Sequence, residues 1–373
     1  MSIDFTALAV PGVQGLHPYQ PGKPIEELQR ELGLDSIVKL ASNENPLGPS
    51  PRAVAAARAA LDEIHRYPDD NAHRLRHKLA ARLGVAPESL LFGNGSSDVI
   101  DMVARSFLGP GRNAVYAEHS FAMYAIYTRA AGAEGRVAPA LPADHPDMPL
   151  GHDLDALRAA IDADTRVLFI ANPNNPTGTW LGRAALHDFL RAVPPEVVVV
   201  LDEAYTEYVE APDFPDGLAW LGEFPNLIVT RTFSKIHGLA GLRVGYGVAG
   251  PALASLVARV RHPFNVNSAA LAAAEAALDD AEHVARSVAL NRAGLRQLGA
   301  GLAALGLRVL PSVGNFLCVD LGRPAGPVFD GLLRRGVIVR PVANYGLPNH
   351  LRISVGTAEE NDRCLAALAE VLA

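Results

Sequence analysis

The sequence predicts an α/β protein: a large unit with a mainly parallel central sheet between helices, then a smaller α+β unit. Three observations carry that expectation. Short apolar runs bounded by breakers (Val167–Ala171, Val197–Leu201, Leu227–Thr230, Val244–Val248) alternate with stretches of helical period at 51–64, 72–83 and 97–107. Runs apolar at every position suit strands buried on both faces, and helices between such strands make parallel crossovers. Near Pro263 the character changes, and 373 residues are too many for one typical core, so two domains are expected.

The elements follow in order. Pro and Gly crowd the first 30 or so residues (PGVQGLHPYQPGKP), which suggests an extended arm before any packed element. Residues 1–40 are assigned to the arm and the start of the small domain, 41–262 to the large domain and 263–373 to the small one. Within the last, the Ala- and Leu-rich stretch 268–304 is long enough for one or two helices. Shorter strands are expected at Phe316–Asp320, Val337–Arg340 and Leu351–Val355, with a closing helix at 358–372.

Composition excludes several classes. Hydrophobic residues make up 49% and charged residues 20%, an ordinary globular balance. No apolar run approaches the ~20 residues that span a bilayer, and the N-terminus lacks the basic region of a signal peptide. The net charge of -7, with Lys and Arg scattered, argues against a nucleic-acid surface. Two cysteines, Cys318 and Cys364, offer no CxxC spacing, which fits a reduced, cytoplasmic protein. His73 and His77 share a helix face but lack an HExxH pattern, so a metal site is not expected.

Ligands in open α/β sheets gather at the carboxyl ends of strands. There the sequence VVVVL runs into Asp202-Glu203-Ala204-Tyr205, and VLFIA into Asn172-Pro-Asn-Asn-Pro-Thr-Gly178. The run LIVT leads to Arg231-Thr-Phe-Ser-Lys235, followed by Gly238, Gly241 and Arg243. Taken singly, each has a plain reading: a rim aspartate, a decorative turn, a solvated lysine. A buried strand-end carboxylate needs a cationic partner, however, and hydroxyls beside a guanidinium suit a phosphate. A lysine in that cationic setting would have a lowered pKa, useful for imine chemistry. Upstream, Gly95, Ser96 and Ser97 stand before a helical period, where backbone N–H groups bind phosphate. Asp98 replaces the third glycine of GxGxxG, which removes a dinucleotide reading; Walker and GxSxG sequences are also missing.

Together these pieces (SNENP, GNGSSD, NPNNPTG, DEAY, TFSK with its downstream arginine, and LRISVGT) resemble the fold-type I pyridoxal-phosphate aminotransferases over nearly the whole chain. Within that family, PYQPGKPIEEL followed by LASNENPLGPSP resembles the histidinol-phosphate aminotransferases and their relatives acting on aromatic amino acids. The resemblance implies a pyridoxal 5'-phosphate cofactor bound to Lys235 as an imine. It implies that Asp202 meets the pyridine nitrogen, and that Asn175 and Tyr205 meet the phenolic oxygen. Gly95, Ser96, Ser97, Thr232, Ser234 and Arg243 would hold the phosphate. Phe121 falls where relatives carry an aromatic stacked on the ring, keeping the stack but losing the hydroxyl that many have. Tyr67 would reach the neighbouring subunit's cofactor, which makes a homodimer with shared sites. Arg352, Arg340, Tyr19 and Asn43 would contact substrate.

The expected reaction is transfer of the amino group of L-histidinol phosphate to 2-oxoglutarate, giving imidazole acetol phosphate and L-glutamate in histidine biosynthesis. Phenylalanine or tyrosine transamination is the alternative, and a decarboxylase such as a threonine-phosphate decarboxylase a more distant one. A cofactor-sensing regulator would need an added DNA-binding domain, for which the sequence has neither length nor a basic helix-turn-helix.

Overall fold

The computed structural model describes residues 3–19 and 22–373. The N-terminal region is not simply extended. It forms α1 (Phe5–Leu8), capped by the Asp4 carboxylate, then α2 (Pro11–Gln14) and α3 (Ile25–Leu32). Pro11 sits at the first helical position, where the missing N–H costs nothing, so here proline starts a helix. Leu28 of α3 is buried against Ala41 and Ile338, so the segment docks rather than trails. β1 (Val38–Lys39) follows.

The large sheet and its helices come next: α4 (Pro51–Ala60), α5 (His73–Leu83), β2 (Leu90–Gly93), α6 (Ser96–Phe107), β3 (Asn113–Ala117), α7 (Ala122–Ala130) and β4 (Glu134–Ala138). The chain continues through α8 (Leu154–Ala159), β5 (Thr165–Ala171), α9 (Arg183–Ala192), β6 (Val198–Asp202), β7 (Leu227–Thr232), β8 (Gly245–Ala249) and α10 (Pro251–Ala258). The seven strands lie in the order β2-β8-β7-β6-β5-β3-β4. From β7 to β4 all pairings are parallel, while β8 runs antiparallel between β2 and β7. Alternate residues of one strand enter different cores. Val200 and Phe169 pack with Val99 and Val103 of α6, whereas Leu201 and Ile170 pack with Leu186 and Phe189 of α9. That two-sided burial is why these strands read as unbroken apolar runs.

Strands β2, β3 and β4 are absent from the apolar runs named above. β3 is buried throughout but begins with Asn113 and carries two alanines, and β4, Glu-Gly-Arg-Val-Ala at the sheet edge, keeps solvent contact along most of its length. Edge position removes the burial that would have marked it.

The Ala-rich stretch makes two helices, α11 (Ser268–Ala277) and α12 (Ala281–Ala304), separated where Asp280 caps the second. α11 shares its core with α4 and α5, so it packs on the large-sheet side although it lies beyond residue 262. Then come β9 (Arg308–Val309), β10 (Phe316–Asp320), α13 (Ala325–Arg334), β11 (Val337–Ile338), β12 (Arg340–Pro341), β13 (His350–Ser354) and α14 (Ala358–Leu372). The single strand expected over 337–340 is two. β11 pairs with β1, and β12 joins the antiparallel sheet β12-β13-β10-β9. α14 opens with a reciprocal cap between Thr357 and Glu360. Among the described residues no helix is long and apolar enough to cross a membrane.

Candidate active site

β5, β6 and β7 are parallel neighbours, so their carboxyl ends deliver Asn172–Asn175, Asp202 and Thr232–Lys235 to one edge of the sheet. A cavity of about 410 Å³ opens there. The small sheet faces it with Arg340 and Arg352, and the segment 41–44 closes one side. Of the residues singled out from the sequence, Lys235, Asp202, Tyr205, Asn175, Ser96, Ser97, Phe121, Thr232, Ser234, Arg243, Arg352, Arg340, Tyr19 and Asn43 all line this cavity.

Lys235 donates from Nζ to the Ser42 carbonyl at 3.0 Å. Burial, helped by Arg352 and Arg243, lowers its pKa to about 8, against the pull of Glu44 and Asp202. Asp202 is buried and accepts hydrogen bonds from Tyr124 at 2.8 Å and Thr230 at 2.9 Å. Burial raises its pKa, and the two hydroxyls oppose that shift. The Tyr205 hydroxyl accepts from Asn43 Nδ2 at 2.9 Å, and burial pushes its own pKa up to about 12.

Asn43 also joins the sheets. In the left-handed region at φ 54, its N–H donates to Ser354 Oγ and its Oδ1 accepts from that hydroxyl, both at 2.8 Å. Its carbonyl accepts from Asn315 Nδ2 at 3.0 Å. Asn175 and Arg352 make a further link, Nη1 donating to Oδ1 at 2.6 Å, while Nη2 donates to the Ala41 carbonyl at 2.6 Å. The Arg352 Nε is buried with no partner among the described residues. Its cross-strand neighbour is Arg340, directly opposite on β12 and also buried. Arg340 stands 5.8 Å from the centre of the Tyr19 ring.

A second anion cradle lies at the start of α6. Gly95, at φ 90, turns the chain so that Ser96 and Ser97 open the helix with free backbone N–H groups. Arg243 reaches over it, bonding the neutral oxygens of Ser234, Ala240 and Asn94 at 3.2–3.4 Å. The approach is close: a Cβ on Gly95 would stand 2.4 Å from Arg243 Nη2, and one on Gly245 would stand 2.2 Å from the Ser96 nitrogen.

Two residues singled out from the sequence do not line the cavity. Gly95 contributes through its turn. Tyr67 is 82% exposed, its ring stacked on Phe264 at 4.5 Å. Conversely, Tyr124 and Thr230 belong to the site through Asp202 without having been singled out. Tyr124 lies three residues beyond Phe121, but nothing in its spacing indicates a partner 78 residues away.

A lowered-pKa amine near a buried acid, with separate anion cradles at one edge of a mainly parallel sheet, suits an enzyme that works through an imine. The family model for aminotransferase class I and II matches residues 35–368, and the chain belongs to that family. It is 61% identical over 375 residues to histidinol-phosphate aminotransferase 2 of Pseudomonas fluorescens strain Pf0-1, with 100% of both chains covered. It is 59% identical to the protein of that name from Methylococcus capsulatus, covering 99% of this chain and 100% of the relative. Among solved structures, the histidinol-phosphate aminotransferase of Sinorhizobium meliloti in complex with pyridoxal-5'-phosphate superposes with a TM-score of 0.88 at 30% identity, covering 98% of this chain and 97% of that one.

Proposed function

We propose that this aminotransferase moves the amino group of L-histidinol phosphate to 2-oxoglutarate, yielding imidazole acetol phosphate and L-glutamate, with pyridoxal 5'-phosphate carried on Lys235. The observation that carries the substrate is Arg340 facing Arg352 across β12 and β13. Histidinol phosphate has no α-carboxylate, so its phosphate must be met by the same guanidinium groups that meet glutamate's carboxylates. The names of the full-length relatives support the same substrate.

The side chains present fit the cofactor. Ser96, Ser97, Thr232, Ser234, Arg243 and the Gly95 turn would hold its phosphate, with Phe121 against one ring face. Asp202 would pair with the pyridine nitrogen, and Asn175 and Tyr205 with the phenolic oxygen. Bound there, pyridoxal phosphate supplies an electron sink for the carbanion formed when the substrate carbon loses its proton. Lys235 holds the cofactor covalently at rest. Once freed by the incoming amine, its Nζ would be the base that takes the proton from the substrate carbon. Burial and the neighbouring arginines keep that amine neutral enough to act as a base. Asp202 would stabilise positive charge on the ring nitrogen. Asn175, held by Arg352, would fix the oxygen end, leaving the same arginine to meet the substrate anion.

We further propose a cytoplasmic homodimer whose large domain runs from residue 41 through α11, since that helix shares its core with α4 and α5, the rest of the chain forming the small domain. Leu61, Ile64, Tyr67 and Phe264 are exposed, and Leu61 lines an apolar hollow between α4 and Leu239–Leu242, surface that a second copy would cover. Tyr67 would then reach the partner's cofactor. Both cysteines are free and buried, in keeping with a reducing compartment.

One comparison tests the reading: kcat/KM for histidinol phosphate and for phenylalanine, each with 2-oxoglutarate, on the native protein and on Lys235→Ala. A large preference for histidinol phosphate is expected, with imine absorbance and turnover both lost in the variant. A preference for phenylalanine would overturn the substrate, and an active Lys235→Ala protein would overturn the mechanism.

A further inference from the structure

The carboxylate of Asp202 is clamped from two sides. Tyr124 donates to Oδ2 at 2.8 Å and Thr230 to Oδ1 at 2.9 Å. Burial favours the neutral carboxyl, whereas both hydrogen bonds favour the ionised one. Thr230 lies directly opposite Asp202 on the neighbouring strand β7, so its hydroxyl is placed by register. Tyr124 comes from α7 and is placed by packing. Its ring stacks on Phe169 of β5, with centroids 4.8 Å and planes 3° apart, and no part of it meets solvent.

Phe121 caps α7, and Tyr124 follows one turn later. The two rings meet edge to face at 5.7 Å. One turn of helix therefore carries both the aromatic that lines the cavity and the phenol that grips the acid. Burial and the adjacent carboxylate hold the Tyr124 phenol well above its usual pKa, so it remains a donor. Tyr124 does not itself line the cavity.

We propose that Tyr124 is a positioning residue for the reaction: with Thr230 it fixes the orientation and ionised state of Asp202, and it locks that carboxylate to the ring-stacking Phe121. The inference rests on reading Asp202 as the partner of the cofactor's ring nitrogen. A carboxylate held by two donors meets that nitrogen with its remaining lone pairs, already oriented, so charge stabilisation requires no rearrangement during turnover.

Tyr124→Phe removes one oxygen and keeps the ring stack. Three quantities are read: the pyridoxal phosphate dissociation constant of the apoenzyme, the pH midpoint of the bound cofactor's absorbance, and kcat with KM. Loss of a hydrogen bond to a charged group predicts affinity weaker by about tenfold. The absorbance midpoint moves, and kcat falls while both KM values stay within about twofold. A merely structural tyrosine would lower the melting temperature and leave the midpoint and affinity in place, which would overturn the inference. Should Tyr124→Phe fail to fold, Thr230→Val removes the other donor and is read identically; an unchanged midpoint and affinity there would overturn the two-donor clamp. Asp202→Ala separates the two levels. If it keeps cofactor affinity and turnover, the reading of Asp202 fails. If it loses both while Tyr124→Phe behaves as native, only the inference about Tyr124 fails.

Discussion

Lys235 gathers its chemistry from neighbours that lie far apart in the chain. Burial lowers its pKa to about 8, with Arg352 of the small sheet and Arg243 beyond β7 adding to the shift. Only the neutral amine attacks a carbonyl. The rate at which apoenzyme captures added pyridoxal phosphate should therefore climb as pH rises from 7 through 8 and level off above 9, where little protonated amine remains. Stopped-flow absorbance measures it, and a rate independent of pH across that range would contradict the shift. Much of this site is legible at residue scale. Asp202, Asn175 and Lys235 each follow an apolar run within a few residues, so strand and side chain are read together. Tyr124 and Thr230 escape notice because their role depends on Asp202, a partner 78 and 28 residues distant.

β8 begins tightly packed beneath the start of α6. A methyl group on Gly245 would press on the Ser96 nitrogen and the Gly95 carbonyl carbon, both backbone atoms that cannot swing aside. Gly245→Ala should thus push the helix N-terminus off its position. We expect pyridoxal phosphate affinity lower by at least about tenfold, since that terminus is the phosphate's main source of backbone N–H groups. Fluorescence titration of apoenzyme would check it; native affinity would mean the helix start is not the cradle. Elements were legible in the sequence where burial coincided with an unbroken run of large apolar residues; β3, buried throughout, begins with Asn113 and escapes notice. The strands at the centre of the large sheet announce themselves. β4 at the edge, and β12, only two residues long, carry no such pattern. Helices α2 and α3 are hidden by the prolines that start or precede them, and the break between α11 and α12 rests on one capping residue, Asp280.

At the scale of the whole molecule, Tyr67 sets the question. It stands outside its own cavity, 82% exposed. In a dimer with shared sites, a mixed pair of Lys235→Ala and Tyr67→Ala subunits holds one site with neither change and one with both. Adding excess Lys235→Ala protein to Tyr67→Ala protein should therefore raise activity per remaining lysine toward the native value. No gain after subunit exchange would show that each subunit completes its own site. The sequence alone could suggest such sharing only through resemblance, because a contact between copies leaves no periodicity in one chain. The joining of the two sheets is equally invisible there, for it runs through Asn43. That residue satisfies Tyr205 on one side and Ser354 and Asn315 on the other. In the language of gene architecture, the leading segment is thus no dispensable leader: a truncation past residue 43 would strip three distant positions of their partners at one stroke, so trimming the front of the protein damages its middle and its end.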